Sequence, residues 1–236
     1  LPTAPCSAEP EVAAVDPVAW ARALERLESG GLVAFPTETV WGLAAIARCA
    51  AAVSALRAWK GRGPSHPVAL LVTDAGAVER LGYDLGPAGR ALARSLWPGP
   101  LTLVARATDR AVVFAPGVAR EDGAVGFRCS PHPAAAALAR AALERGLGPI
   151  TATSLNHTGE SPAADRAAAL DLCGGPTGPL PWPERRPDAF GDRPSTVVDV
   201  TGPRPVVLRP GAVTSESIES IAEASADAQN QEHPDR

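Results

Sequence analysis

The chain contains a single lysine, Lys60, against 21 arginines. It stands in Lys60-Gly61-Arg62, four residues before His66, between a helical run and an apolar one. Cations at a helix C-terminus are ordinary, because they complement the helix dipole. Arginine serves that purpose equally well. A chain that uses arginine everywhere else and keeps one lysine here points to a need for a compact ammonium, for instance against phosphate oxygens, where a planar guanidinium is no substitute. Gly61 and Gly63 let the backbone approach a ligand closely.

Other polar clusters lie at the ends of apolar runs, the usual place for a site in an α/β fold. PTETVWGL (36–43) sets Thr37, Glu38 and Thr39 directly after a buried run. The plainer reading is a turn with hydroxyls bonded to the backbone. TSLNHTG (153–159) holds Ser154 and Asn156, and Asn156 is the only asparagine before Asn230. Asp or Ser would make the same turn, so the rarity of Asn carries the same message as the rarity of Lys. Arg128 ends AVGFR and Arg209 lies in VLRPG. Each is either a surface charge or a bidentate clamp for a carboxylate or phosphate. Ser195 opens STVVDV and says little alone. There is no GxxxxGK[ST], GxGxxG or GxSxG, and His66, His132, His157 and His233 lack metal-ligand spacing, so no metal site is predicted. Trp41, Trp59 and Trp97 read as packing residues, with Trp59 also placed to line a pocket beside Lys60.

The elements that must position these groups follow from periodicity and punctuation. Residues 1–15 read as a loose arm. Asp16 caps a helix with Pro17 at its first position, and Gly30-Gly31 stops it. Short strands are expected at 32–36 and 44–47, a helix at 49–59, a buried strand at 67–72, and helices near 75–81 and 87–96. Pro98-Gly99-Pro100 turns the chain into a strand at 101–106. Further strands are expected at 124–128 and 149–154, around a helix at 134–145. Residues 173–194, rich in Pro and Gly, read as an irregular excursion. STVVDV (195–200) and PVVLRP (205–210) read as a β-hairpin. After Ser215 a short helix and then disorder are expected. The domain is thus 16–214, followed by a tail at 215–236. Strands and helices intermix as in an α/β or α+β domain on a twisted mixed sheet.

Composition narrows the class. A chain of 236 residues with 45% hydrophobic and 4% aromatic content builds one sizeable core from Ala, Val and Leu. The net charge is −4, and the tail from Ser215 carries −5 of it, which leaves about +1 for the body. That balance argues against broad nucleic-acid binding, which wants a strongly basic face. Cys6, Cys49, Cys129 and Cys173 form no C-x-x-C pair, which suits a reducing cytoplasm better than a disulfide or zinc framework. No apolar run reaches membrane-spanning length, and LPTAPCSAEPEV lacks the features of a secretory signal.

FPTETVWGL, KGR, PGPLTLV, VGFRCSPHP, the S-x-N of SLN, and STVVDV…VLRPG occur in an order that resembles the YrdC-like family. The resemblance covers roughly residues 17–214. It implies a YrdC/RibB-like α/β fold whose twisted mixed sheet, flanked by helices, surrounds a large, positively charged concave cavity. It further implies an ATP-dependent nucleotidyltransferase, in which L-threonine, bicarbonate and ATP give L-threonylcarbamoyl-AMP and diphosphate. Mg²⁺ assists, and the product feeds tRNA threonylcarbamoyladenosine modification. By the same resemblance, Lys60 and Arg62 face the ATP phosphates and act catalytically, while His66, Asn156 and Arg209 complete the ATP side. Thr37, Thr39, Arg128, Ser154 and Ser195 bind threonine. Departures from the family pattern are Gly63 after K-x-R, Leu71 where many members have a histidine, Leu155 inside S-x-N, and Ala163 for a typical threonine. The tail is too short and polar for the second domain that some members carry. Two alternatives remain open here: a carbamoyl-adenylate-forming domain that uses carbamoyl phosphate, and a non-catalytic RNA-binding module. Direct RNA contact is not required by the leading reading.

Overall fold

Helix α1 (Pro17–Glu28) turns Ala23, Leu24 and Leu27 inward and ends at Gly30, whose φ of 77° is open to glycine at little cost. The coordinates are a computed structural model that describes residues 17–63, 66–175, 178–182 and 193–232. The proposed cap Asp16 and the arm before it lie outside the described residues. Strand β1 (Val33–Phe35) is wholly buried and pairs antiparallel with β2 (Gly42–Ala44). The expected second strand at 44–47 is therefore drawn back toward the turn, and only Ile46 bridges onward, to Ile150.

Helix α2 (Ala50–Lys60) buries Ala52, Val53, Leu56 and Lys60. The steps of four from Ala52 through Leu56 to Lys60 put the lone lysine on the helix's buried stripe. Gly61 then adopts φ 61°, and the amides of Gly61 and Arg62 bond back to Ala58 and Arg57. This left-handed cap turns the chain sharply, so Lys60 and Arg62 flank a tight corner.

Strand β3 (Leu70–Leu71) is far shorter than the expected 67–72. Helix α3 (Ala75–Arg80), capped by Asp74, strand β4 (Tyr83–Asp84) and helix α4 (Gly86–Leu96) follow. Strands β5 (Leu101–Ala107) and β6 (Val125–Arg128) pair antiparallel, with Thr102 opposite Arg128. Helix α5 (Pro133–Glu144) buries Ala134, Ala135, Leu138, Ala139 and Ala142. Alanines along that face let the helix sit close on the sheet, which is how a chain poor in aromatics closes its core.

The run expected as one strand at 149–154 is divided between two sheets. Strand β7 (Ile150–Thr151) pairs with β3, and β8 (Thr153–Ser154) pairs with β2. Between them the Ala152 amide bonds Ala69 O. Helix α6 (Arg166–Leu172) arises where no element was expected, and strand β9 (Leu180–Pro181), which runs parallel to β1, lies in the 173–194 stretch read as irregular. Strands β10 (Thr196–Asp199) and β11 (Val206–Arg209) form the expected hairpin.

The architecture is mixed α/β as expected, with its strands in two sheets. One has the order β8-β2-β1-β9. The other has the order β11-β10-β5-β6-β3-β7, with β4 attached to β5. Each has its own core. The first gathers α1, α5, α6, Trp41 and Trp182, with Trp20 edge-on to Trp182 at 4.8 Å. The second gathers α3, α4, β5 and β6. After Ser215, where a short helix and then disorder were expected, helix α7 (Ser215–Glu232) runs for 18 residues, packs on α4 and buries Ile218 in that second core. One apolar residue per turn, set against α4, orders a segment whose composition is otherwise that of a solvated tail. Among the described residues no helix is long and apolar enough to cross a membrane.

Candidate active site

Residues of both sheets line a cavity of about 350 Å³. The end of α2 and the loop after it bring Lys60, Arg62 and His66 to its wall. The β8 turn brings Ser154 and Asn156, the end of β6 brings Arg128, and the β10–β11 hairpin brings Ser195 and Arg209. Thr37 joins them from the β1–β2 turn. Thr39 is the exception. It is buried behind the wall, where its hydroxyl accepts from Arg128 Nη2 at 2.7 Å and lies 3.1 Å from Thr37 Oγ1.

Lys60 is 3% exposed, and its ammonium is met by three acceptors. Nζ donates to Ser154 O, to Asn156 O at 2.8 Å and to Asn156 Oδ1 at 3.2 Å. The Thr158 amide returns a bond to Lys60 O at 2.7 Å. Asn156 is saturated as well. Its Oδ1 also accepts from Ser154 Oγ at 2.6 Å, and its Nδ2 donates to His157 O at 2.8 Å and Glu160 O at 2.9 Å. Only this amide orientation satisfies every partner. Leu155 between them is fully buried in the first core, so alternation sends 154 and 156 to the cavity and 155 away from it.

Arg62 Nη1 donates to Thr153 Oγ1 at 3.0 Å. Arg209 turns its guanidinium onto Ser195, where Nη2 donates to the carbonyl at 2.7 Å and to Oγ at 3.2 Å. Ser195 Oγ lies 3.0 Å from Thr102 Oγ1. Among the described residues, Lys60, Arg62 and Arg209 have no carboxylate partner. Burial first, and Arg62 second, push the Lys60 ammonium down to about 7. Burial, then Arg57 and Arg209, lower Arg62, and burial, then Arg128, lower Arg209. Cations held together against their own repulsion and short of water form an anion site.

Arg128 adjoins Arg209 but is held differently. Arg128 Nη2 donates to Glu38 Oε1 at 2.7 Å, and the Ser130 hydroxyl donates to Glu38 Oε2. Leu71, in place of the family's frequent histidine, is buried on the same wall. Four groups at the site were given no role in the sequence reading. Glu38 and Thr153 stood inside the noted clusters PTETVWGL and TSLNHTG. Thr102 had a weaker signal, as a lone hydroxyl in the apolar run LTLVAR. Arg120 had none. It lines the cavity but is held by Asp122 and Asp199, so its charge is already spent. Trp59 packs on His157 rather than lining the cavity, with ring centroids 4.6 Å apart.

The profile of the Sua5_yciO_yrdC family, described as "Telomere recombination", matches residues 25–211. The chain is 36% identical over 203 residues to the "Putative threonylcarbamoyl-AMP synthase" of Mycobacterium tuberculosis strain H37Rv, covering 84% of this chain and 87% of that protein. It is 37% identical over 213 residues to the "Threonylcarbamoyl-AMP synthase" of Bacillus subtilis strain 168, covering 89% of this chain and 58% of that protein. In structure it resembles P. abyssi Sua5 complexed with L-threonine, with a TM-score of 0.71 and 30% identity. That match covers 86% of this chain and 57% of the other, so this chain spans little more than half of that longer relative.

Proposed function

This chain belongs to the Sua5_yciO_yrdC family, and on that premise we propose that it makes L-threonylcarbamoyl-AMP from L-threonine, bicarbonate and ATP with release of diphosphate, and that the threonylcarbamoyl-AMP feeds tRNA threonylcarbamoyladenosine modification. The observation that carries this reading is one cavity lined by two kinds of cation. Lys60, Arg62 and Arg209 have no carboxylate partner among the described residues, and Arg128, which adjoins Arg209, is paired with Glu38.

In this reading residues 16–214 form the catalytic unit. Arg128 holds the threonine carboxylate, with Thr37, Ser154 and Ser195 around it and Thr39 acting through Arg128. The threonine ammonium first gives up a proton; the free amine then adds to the carbon of bicarbonate and water leaves, which forms the carbamate. A carbamate oxygen then attacks the α-phosphorus. The bond from the α-phosphorus to the bridging oxygen breaks, and diphosphate departs. Negative charge grows on the phosphates during that step, and preorganised cations at Lys60, Arg62 and Arg209 lower its cost. Asn156 and His66 complete the nucleotide side. No residue need act as general base on the carbamate, whose oxygen is already anionic. Among the described residues no group of three or more His, Cys, Asp or Glu side chains could hold a metal ion, so Mg²⁺ enters this reading with the nucleotide substrate. Free thiols at Cys49, Cys129 and Cys173 suit the cytoplasmic setting we assign.

The purified protein is expected to release diphosphate from ATP only when threonine and bicarbonate are both present, with threonylcarbamoyl-AMP identified by mass spectrometry. Equal release with carbamoyl phosphate and no threonine would overturn the reading in favour of a carbamoyl-adenylate former. Tight RNA binding without turnover would overturn it in favour of a binding module.

The lowered Lys60 pKa adds a pH dependence. As pH rises through about 7, the free protein loses this ammonium. The kcat/KM for ATP is therefore expected to fall along an alkaline limb centred near there. In the bound complex the triphosphate favours the charged form, so the limb of kcat lies at higher pH. Lys60→Met lacks the limb. A wild-type kcat/KM that stays level up to pH 9 would contradict this.

A further inference from the structure

Glu38 takes no part in the chemistry proposed above, yet it is the carboxylate bound to Arg128. Lys60, Arg62 and Arg209, which line the same cavity, have none among the described residues. Its two oxygens are held from the end of β6, one by Arg128 Nη2 and the other by the Ser130 hydroxyl. Glu38 itself belongs to the β1–β2 turn of the other sheet, so the contact straps the two sheets together at the cavity. The Arg128 and Glu38 side chains are 10% and 18% exposed, so dissolved salt screens the pair little. Arg128 Nη2 is doubly committed, to Glu38 and to Thr39, which fixes the plane of the guanidinium.

The consequence is a difference in charge between neighbouring cations of one cavity. A bare Arg128 would extend the cationic field of Lys60, Arg62 and the adjoining Arg209, and a phosphate group would find a second seat there. With Glu38 in contact, the Arg128–Glu38 pair carries no net charge. It still offers hydrogen-bond donors to a single carboxylate, and it suits a ligand that is itself neutral overall. The geometry points to Glu38 as a positioning and selectivity residue that reserves Arg128 for a zwitterionic α-amino acid and turns phosphate away. This rests on the amino-acid substrate of the proposed function.

The test is isothermal titration of the whole protein with inorganic phosphate and, separately, with L-threonine, for wild type, Glu38→Gln and Glu38→Ala. Gln keeps an oxygen for Arg128 and a partner for Ser130 while removing the charge. Glu38→Gln is expected to bind phosphate about tenfold more tightly than wild type, the scale of one close charge pair at a partly buried site, and phosphate should then compete with threonine. Glu38→Ala is expected to lose more threonine affinity than Glu38→Gln, because only Ala releases the guanidinium. Unchanged phosphate affinity in Glu38→Gln overturns the selectivity role. Equal threonine affinity in the two variants overturns the positioning role. Phosphate gain in Glu38→Gln together with no threonine binding by wild type upholds the charge difference and rejects the amino-acid reading instead.

Discussion

Lys60→Arg is expected to lower kcat about 10²-fold, the usual cost of losing one preorganised charge-stabilising donor. The substitution keeps the charge, so the loss isolates geometry. Lys60 sits on the buried stripe of α2, in line with Leu56, and is 3% exposed. Its three N–H bonds diverge from one atom toward Ser154 O, Asn156 O and Asn156 Oδ1. A guanidinium spreads five donors over a plane and needs more room. In this space it must either leave donors unpaired or push the 154–156 turn outward. The second displaces Ser154 and Asn156, and both are costly in a packed site. Lys60→Met keeps the stem and removes the charge, and is expected to lose at least as much. Single-turnover formation of threonylcarbamoyl-AMP at saturating ATP is the measurement. A Lys60→Arg rate within threefold of wild type would return Lys60 to an ordinary helix-end cation. The same geometry explains why a chain with 21 arginines retains this lysine. The residue must fit three acceptors around a single nitrogen as well as carry a charge near an anion.

How far the fold could be read from sequence depended on whether the deciding signal was local. The helices at 17–28, 50–60 and 133–144 begin and end on nearby punctuation such as Pro17, Gly30, Gly61 and Pro133, and they were read closely. The hairpin of β10 and β11 was legible for the same reason. Residues 149–154 were not, because Ile150 and Thr153 prefer extended backbone equally and only their partners, β3 and β2, divide them. Helix α7 was expected, but shorter than it is, because its extent is set by packing on α4, far away in sequence. The site follows the same rule. Rarity marked Lys60 and Asn156, and ordered motifs marked the rest. Which hydroxyl of Thr37 and Thr39 reaches the cavity, and whether Glu38 meets solvent or Arg128, are set by the approach of two sheets. No spacing along the chain encodes that approach.

Asn156→Asp should be the most damaging near-isosteric change in the molecule. The side chain is hardly altered in shape, but its Nδ2 donates to two carbonyls, His157 O and Glu160 O. In aspartate an acceptor oxygen faces both of them. Two part-buried carbonyls lose their donor and a carboxylate is pressed against them, a loss of about 2–4 kcal/mol, taking each carbonyl at the lower end of the usual cost of an unpaired group. For a chain of this length that is a fall in Tm of roughly 5–12 °C. The turn that holds Ser154 and Lys60 loosens with it, so kcat/KM is expected to drop by about 10²-fold or more, on the scale of a lost preorganised contact. A third readout separates this from simple unfolding. The new carboxylate lies beside Lys60 Nζ, where Asn156 Oδ1 now sits at 3.2 Å. An adjacent negative charge favours the ammonium, so the Lys60 pKa rises from about 7. The residual activity should then keep its alkaline limb but carry it to higher pH. Loss of activity with the limb still near 7 would mean that Asn156 and Lys60 are not coupled as described. Wild-type kinetics in Asn156→Asp would remove the turn from the catalytic apparatus altogether.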